Sequence, residues 1–535
     1  MTGRPSSIAH ALLEASARAP AKPAVLFGAE TWSYERLAAE TVRWAAALRV
    51  WGLQPADRVA LVLENSPAFL TTYLGIHLAG GIVVLVNTQY RQVELRHILS
   101  DAGVRLCVTD RHRYAELTRV EDDLPALEAV VVDAVARSMN SDGEARTEAT
   151  RRVPVVYNRD RFLAGGDLEP TFTPPSAESI AVIGYTSGTT GRSKGAMLTH
   201  HNLVANAAAI VEAWHWTAAD RLLLTLPLFH VHGLCVGIHG TLLTGSTVDL
   251  RPRFDAEEAL STLLRGGATM FFGVPTMYTR LIAAAQRRGE RPAALRLYVS
   301  GSAPLSAQTY EEFEQLFGQR ILERYGMTET LMNLTNPYEG ERRPGTVGQP
   351  FPGQEARIVD VQSRQPILDD RMGEIQVRGP HVFAGYWQQP EATAAAFDAD
   401  GWFTTGDLGW RSADGYYTIS GRARELIISG GYNIYPREVE EVLVTHPAVA
   451  EAAVLGLADP EYGEQVVAAI VLDAQAGVSP DGTGQLSDDL IALCRDQLAG
   501  YKKPRRIEFV DALPRNALGK IQKHILRQSL AGGEA

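Results

Sequence analysis

Tyr185-Thr-Ser-Gly-Thr-Thr-Gly-Arg-Ser-Lys-Gly195 follows directly on the apolar run Ile180-Ala-Val-Ile-Gly184. A short buried strand that runs into a turn of glycines and hydroxyls presents successive backbone N–H groups and side-chain oxygens on one concave side. Polyphosphate oxygens need such a surface, and Arg192 and Lys194 add positive charge. The kinase and dinucleotide G-x-G-x-x-G spacings are absent, and Ser193 stands where a Walker loop carries its second glycine. Thr186, Ser187, Gly188, Thr189, Thr190 and Lys194 therefore form a candidate triphosphate cradle, built differently from a P-loop.

On the N-terminal side of this loop, helix-like and strand-like segments alternate from Ile8 to about Val132. Tyr34 to Leu53 and Ala68 to Ala79 have helical spacing, while Arg58-Val-Ala-Leu-Val-Leu63, Ile82-Val-Val-Leu-Val86 and Leu106-Cys-Val-Thr109 read as strands. Buried strands alternating with helices predict a layered α/β fold. Residues 134 to 176 break the pattern with charged, Gly- and Pro-containing sequence and read as a surface excursion. A second α/β alternation runs from Asn202 to about Leu331, with strand candidates at 221–226, 268–273 and 295–300. From Val347 to Ile419 short strands with turns predict a β-rich subdomain. Beyond Gly421 a compact α/β unit is expected, with a helix near Arg437–Thr445, strands near Val449–Val454 and Val466–Leu472, and a last helix after Gly519. The expected division is an N-terminal domain over 1–424 and a C-terminal α/β domain over 425–535.

A chain of 535 residues is too long for one hydrophobic core, and its 45% hydrophobic and 21% charged content is that of an ordinary globular protein. With 51 basic and 62 acidic residues its net charge is −11, so no global field draws it to nucleic acid or an anionic membrane. Any polyanion must be held locally. Cys107, Cys235 and Cys494 match no zinc or disulfide spacing, which fits a reducing cytoplasm. The N-terminal Met-Thr-Gly-Arg-Pro-Ser-Ser carries no apolar signal segment, and the apolar region around Leu78–Val86 is too short to span a bilayer. The expectation is a cytoplasmic protein with neither nucleic-acid partner nor membrane span, as monomer or homodimer.

Four further segments line up behind the loop: Tyr325-Gly-Met-Thr-Glu-Thr330, Gly401-Trp-Phe-Thr-Thr-Gly-Asp-Leu408, Gly421-Arg-Ala-Arg-Glu-Leu-Ile-Ile-Ser-Gly-Gly431 and Pro514-Arg-Asn-Ala-Leu-Gly-Lys520. In this order, over nearly the whole chain, the motifs resemble those of the adenylate-forming superfamily of acyl-CoA synthetases, peptide-synthetase adenylation domains and beetle luciferases. Within it, Phe271-Phe-Gly-Val-Pro-Thr-Met-Tyr-Thr-Arg280 and Glu323-Arg-Tyr-Gly-Met-Thr-Glu-Thr-Leu-Met-Asn333 look most like malonyl-CoA synthetases. The resemblance implies ATP, Mg²⁺ and coenzyme A, with a small carboxylic acid as substrate. Because a carboxylate is a poor electrophile, it would first attack the α-phosphate of ATP, and the acyl-AMP would then accept the thiol of coenzyme A.

The resemblance also carries residue roles. Thr328 would meet the α-phosphate and Glu329 the Mg²⁺ ion, which typically takes one or two carboxylates plus phosphate oxygens. Read alone, a Thr-Glu pair is as readily a helix cap. Tyr325, with Gly326, would stack on adenine, and Gly301-Ser302-Ala303 would lie along the nucleotide by close backbone approach. Asp407 would accept the ribose hydroxyls, joined by Arg422; the competing reading is a turn aspartate capping its own backbone. Lys520, a compact mobile charge, would bridge acid and α-phosphate during adenylation. The C-terminal domain would then rotate about Arg424, where the family more often shows Asp or Lys, and Ser429-Gly430-Gly431 would face the site as coenzyme A enters. Lys502, Lys503, Arg505 and Arg506 are candidates for the coenzyme A phosphates, although a basic run is more often solvated surface. His230 matches the position that gates the thiol tunnel, while His232 and His239 read as hydrogen-bonded core histidines.

For the acid pocket the candidates are Arg280, Ser302, Met327 and His230. A guanidinium at 280, where many fatty-acid and aryl ligases carry an apolar or small residue, would pair with a second carboxylate and point to malonate or a similar short dicarboxylate. The competing reading puts Arg280 in solvent. Alternatives are an acyl-CoA synthetase for medium-chain fatty or aryl acids and a carrier-loading adenylation enzyme. The latter lacks the aspartate that would hold a substrate ammonium near Phe229-His230.

Overall fold

The computed structural model describes residues 5–133, 154–164, 172, 175–186, 193–367, 370–429, 432–474, 476, 483–516 and 519–531. Backbone contacts divide the chain into two compact units: residues 1–356 with 377–403, and residues 357–376 with 404–535. The expected boundary at 424/425 thus falls inside the second unit, which includes most of the β-rich segment.

The first unit holds two large sheets. One has nine strands in the order Gln349–Pro350, Leu331–Thr335, Leu322–Met327, Leu297–Ser300, Met270–Gly273, Arg221–Leu224, Thr247–Leu250, Pro23–Phe27 and Glu30–Ser33. Its central strands are parallel and its edges antiparallel. The other has eight strands in the order Gly385–Tyr386, Lys194–Thr199, Ile180–Thr186, Ile82–Leu85, Arg58–Val62, Leu106–Asp110, Ala129–Asp133 and Val155–Asn158. Crossover helices cover these parallel strands, so the strands read as continuous Val/Ile/Leu runs rather than alternating ones. Ser33 and Ser66 cap helices Tyr34–Trp51 and Pro67–Ala79, each of which stops at a left-handed glycine. These two helices press together where a Cβ on Gly75 would come within 2.5 Å of the Trp44 Cβ. Every residue of Pro67–Ala79 is buried.

The reading of 134–176 as a pure surface excursion needs correction. Residues 134–153 lie outside the described residues, but Val155–Asn158 extends the eight-stranded sheet and Arg159–Leu163 forms a short helix that buries Phe162 and Leu163. Val155 and Val156 are exposed, as suits an edge strand, and this weakened the strand signal.

In the second unit a five-stranded sheet runs in the order Pro366–Ile367, Glu355–Val359, Gly373–Arg378, Phe403–Arg411 and Tyr417–Arg422. The remainder is built on a hairpin of Val449–Asp459 and Gly463–Leu472, with Arg506–Phe509 added in parallel. Helices Pro436–Leu443 and Thr483–Gln497 pack on one side around Val439, Val454 and Leu490, and Lys523–Ala531 packs on the other around Leu455 and Leu526. Among the described residues, no helix is long and apolar enough to cross a membrane.

Candidate active site

In the first unit, the turn that opens the sequence reading joins two antiparallel strands, with Thr186 paired to Lys194 across its base. Ser187, Gly188, Thr189 and Thr190 lie outside the described residues. Both ends of the turn are anchored. The Tyr185 hydroxyl donates to Asp101 at 2.6 Å, and the His97 ring binds the Ser193 carbonyl through Nε2 at 2.8 Å. Lys194 sits over the Tyr386 ring at 5.2 Å, a cation–π placement that holds the ammonium at the turn.

Facing this turn is the segment Tyr325-Gly-Met-Thr-Glu329, and it is no helix cap. Leu322–Met327 and Leu331–Thr335 form an antiparallel hairpin whose tip carries Thr328 and Glu329. The two segments meet closely: a Cβ on Gly184 would lie 2.7 Å from the Thr328 methyl. The buried Glu329 carboxylate accepts hydrogen bonds through Oε1 from Thr186 Oγ1 and the Tyr386 hydroxyl, both at 3.2 Å. Tyr325, Gly326 and Met327 are partly exposed on the same strand, and Gly326 stands where a Cβ would meet the Leu331 carbonyl. Thr186, Lys194, Thr328 and Glu329 are therefore brought together as the motifs suggested. Tyr386 is an addition that no motif in the sequence reading marked.

Among the described residues, no three His, Cys, Asp or Glu side chains gather as a metal cage. Glu329 still suits a hard cation, because it offers a single anionic oxygen donor beside the turn. A Mg²⁺ held there by one carboxylate would draw its remaining ligands from phosphate oxygens and water, as that ion usually does.

A second cluster lies around Gly301 and Ser302. Ser302 adopts a left-handed backbone at φ 71°, and its hydroxyl meets His232 Nδ1 at 3.1 Å. The neighbouring His230 lends its Nδ1 to the His232 backbone N–H at 3.2 Å. Into this cluster comes Arg324, buried on strand Leu322–Met327. A Cβ on Gly301 would fall 2.5 Å from the Arg324 Cζ, so only glycine leaves room for the guanidinium. Burial, and then the Arg324 charge, push His230 down to about 4 and His232 well below its ordinary value, so both rings are neutral at pH 7. His232 thus departs from its reading as a plain core histidine. His239 keeps that reading, with Nε2 3.0 Å from the Tyr73 hydroxyl.

Arg280 is placed elsewhere. It is exposed on helix Pro275–Arg288 and lines a surface cleft of about 340 Å³ with Phe254, Asp255, Glu257 and Arg287. That lining includes none of His230, Ser302 or Met327. The expectation of an acid-facing Arg280 is corrected accordingly: the core face of the helix is taken by Tyr278, Leu281, Ile282 and Ala285, which turns position 280 outward.

The second unit carries the remaining candidates. Asp407 and Arg422 are paired across neighbouring strands, with the Arg422 Nε 2.7 Å from the Asp407 Oδ1. Arg424 lies in a single 3₁₀ turn, Ala423–Glu425. Ser429 is buried at the end of strand Ile427–Ser429, while Gly430 and Gly431 lie outside the described residues. Lys520 is exposed, and its backbone N–H donates to Asn516 Oδ1 at 3.0 Å. Much of the basic run is engaged locally: Lys502 pairs with Glu438 and Arg506 with Glu508, each at 2.5 Å, and Arg505 stacks 3.6 Å from the centre of the Tyr462 ring.

A hydroxyl-bearing turn flanked by a lysine, closed against a buried carboxylate, defines a site for a metal-bound nucleotide phosphate. Comparison with known proteins takes the assignment further. Residues 12–387 match the AMP-binding enzyme family, and residues 438–520 match the AMP-binding enzyme C-terminal domain. A malonate–CoA ligase of Arabidopsis thaliana is 36% identical, over 90% of this chain and 80% of the relative. A long-chain-fatty-acid–CoA ligase of Bacillus subtilis is 34% identical, over 96% of this chain and 93% of the relative. The crystal structure of ATP-bound MatB from Rhodopseudomonas palustris superimposes with a TM-score of 0.86 at 36% identity, covering 98% of this chain and 99% of that one. The chain belongs to the AMP-binding enzyme family. Its enzyme class is that of the AMP-forming acid–CoA ligases.

Proposed function

We propose that this enzyme joins a short dicarboxylic acid, malonate foremost, to coenzyme A in two half-reactions. In the first, a carboxylate oxygen of the acid attacks the α-phosphorus of ATP. The bond from that phosphorus to the bridging oxygen of pyrophosphate breaks, and the acyl-AMP anhydride forms. In the second, the thiol sulfur attacks the acyl carbon, the thiol proton leaves to solvent or a base, and AMP departs as the thioester forms.

One observation carries the adenylating half of this reading. The turn and the Thr328–Glu329 tip close on one another, with Thr186 and Tyr386 orienting the Glu329 carboxylate. Mg²⁺, when bound, neutralises charge building on the phosphates. The chain's own groups do the rest. Lys194 and the turn orient the triphosphate, and Thr328 donates toward the α-phosphate. Groups fixed before the reaction stabilise developing charge without reorganising. The Asp407–Arg422 pair is assigned to the ribose hydroxyls, Lys520 to the acid and α-phosphate, Ser429-Gly430-Gly431 to the pantetheine arm, and Arg424 to the hinge. His230 borders the acid. The preference for malonate is supported by the two malonyl-CoA-synthetase-like segments and by the named relatives.

The test is pyrophosphate release and thioester formation across a panel of acids, with and without coenzyme A. Malonate should be turned over ahead of acetate, butyrate, octanoate and benzoate, with the thioester appearing only when coenzyme A is supplied. Turnover of fatty or aryl acids ahead of malonate would replace the substrate assignment and leave the ligase assignment standing. Absence of thioester with every acid would remove both.

A further inference from the structure

We propose that Arg324 is the cation that selects the second carboxylate of the substrate acid. The proposal rests on the acid–CoA ligase reading of the same site and names the residue that sets its substrate class.

Three observations lead to it. First, Arg324 is only 2% exposed, yet neither its Nε nor its Nη2 meets a hydrogen-bond acceptor. Guanidinium donors in a protein interior are costly to leave unmatched, and the penalty is larger for a charged group than for a neutral one. Second, the surroundings are those of the acid pocket: Gly301 leaves room for the guanidinium, and Ser302, His230 and His232 stand beside it. Because both imidazoles are neutral at pH 7, the local field is set by Arg324 without a second cation to compete for the anion. With Ser302 donating to His232 Nδ1, the His232 Nε2 carries a proton, and it too lacks a protein acceptor. A planar guanidinium and a neutral ring N–H match the two oxygens of a carboxylate. Third, the protein's own anion nearby is already committed. Glu323, the neighbour that most raises the Arg324 pKa, gives its Oε1 to the Leu305 backbone N–H at 3.2 Å.

Burial pulls Arg324 down to about 9, partly opposed by Glu323 and Tyr278, so the charge persists at neutral pH. An alkyl or aryl chain placed against it would leave the guanidinium unmatched, whereas a carboxylate removes the mismatch. The geometry therefore favours diacids through attraction and disfavours monoacids through an unpaired buried charge, and specificity commonly uses both elements.

Steady-state kinetics with malonate, methylmalonate, propionate and butyrate test the assignment in the wild type and in Arg324→Met and Arg324→Lys. The wild type should prefer malonate over propionate. Arg324→Met should lower the malonate-to-propionate ratio of kcat/KM by at least about 100-fold, mainly through the KM for malonate. Arg324→Lys, which keeps the charge but loses the fork, should fall between the two. Equal losses on all four acids, in variants whose KM for ATP is unchanged, would overturn the proposal and make Arg324 a structural residue. Wild-type preference for propionate or butyrate would overturn it without touching the ligase reading. If no acid yields a thioester, the ligase reading fails and the proposal falls with it. The wild-type ratio and the Arg324→Lys variant keep the test decisive even if Arg324→Met fails to fold.

Discussion

Arg280 and Arg324 carry the same guanidinium into opposite surroundings. Arg280 projects from a helix into a cleft that already holds Asp255 and Glu257, where water screens its charge. Arg280→Ala should therefore change kcat/KM by less than about twofold on every acid, since surface substitutions away from special features are usually worth within about 0.5 kcal/mol. A selective loss on malonate would restore Arg280 to the acid pocket. The sequence favoured the wrong arginine for a physical reason. Glu323 and Arg324 are consecutive in a strand, so one of the two should face solvent on an ordinary half-exposed sheet. Both are buried here, because this strand borders a sheet covered on both faces. The signal available was a pair of opposite charges directly after the apolar Ile321-Leu322, where no exposed face existed to receive them.

At the scale of elements, the strands and helices flanking the site were legible. Expected and observed ends agree within a few residues for Tyr34–Trp51, Arg58–Val62, Pro67–Ala79 and Gly373–Arg378, where apolar period and capping residues point the same way. The exceptions have local causes. Tyr325–Glu329 has the polar, Thr-Glu-bearing look of a helix start, yet hairpin pairing with Leu331–Thr335 decides its conformation. Strand Val155–Asn158 escaped notice because an edge strand with exposed valines lacks a clean alternation. The contact between helices Tyr34–Trp51 and Pro67–Ala79 yields a prediction of its own. Gly75→Ala forces a methyl into the Trp44 Cβ, and overpacking of that kind costs about 1–3 kcal/mol. The thermal midpoint should drop by several degrees with kcat unchanged at low temperature; an unshifted midpoint would mean that the helices can part without penalty.

On the scale of the whole chain, acid stability and the order of the two half-reactions can be anticipated. His77, His200 and His239 are buried among the helices of the first unit. Desolvation, reinforced by neighbouring histidines, lowers His200 to about 4, His239 to about 3, and His77 well below its ordinary value. In the unfolded chain these rings take up protons near 6.5, so the unfolded state binds more protons as the pH falls below that value. Their contribution to stability is complete above pH 6.5 and is lost progressively between 6.5 and about 3 to 4. Thermal midpoints measured from pH 7 to pH 4 should fall steadily, and His239→Gln should make the slope shallower; a flat profile would contradict the burial of neutral rings. For catalysis, Lys520→Ala should cut acyl-AMP formation by about 100-fold or more while thioester formation from supplied acyl-AMP stays within a fewfold, because a charge stabilising only the first transition state affects only that step. Single-turnover assays of each half-reaction separate the outcomes, and equal losses would mean a shared structural role.

Helix Pro67–Ala79 has one more consequence, for time rather than energy. With all of its residues buried, and with Tyr73 and His77 held by His239 and the Ala181 carbonyl, its backbone amides have no small fluctuation through which to meet solvent. Their deuterium uptake is therefore gated by opening of the surrounding layers, and it reports how often the N-terminal unit comes apart as a whole. Those amides act as a clock inside the protein: any ligand that holds the two sheets closed should slow it, including one bound at a site the helix never touches.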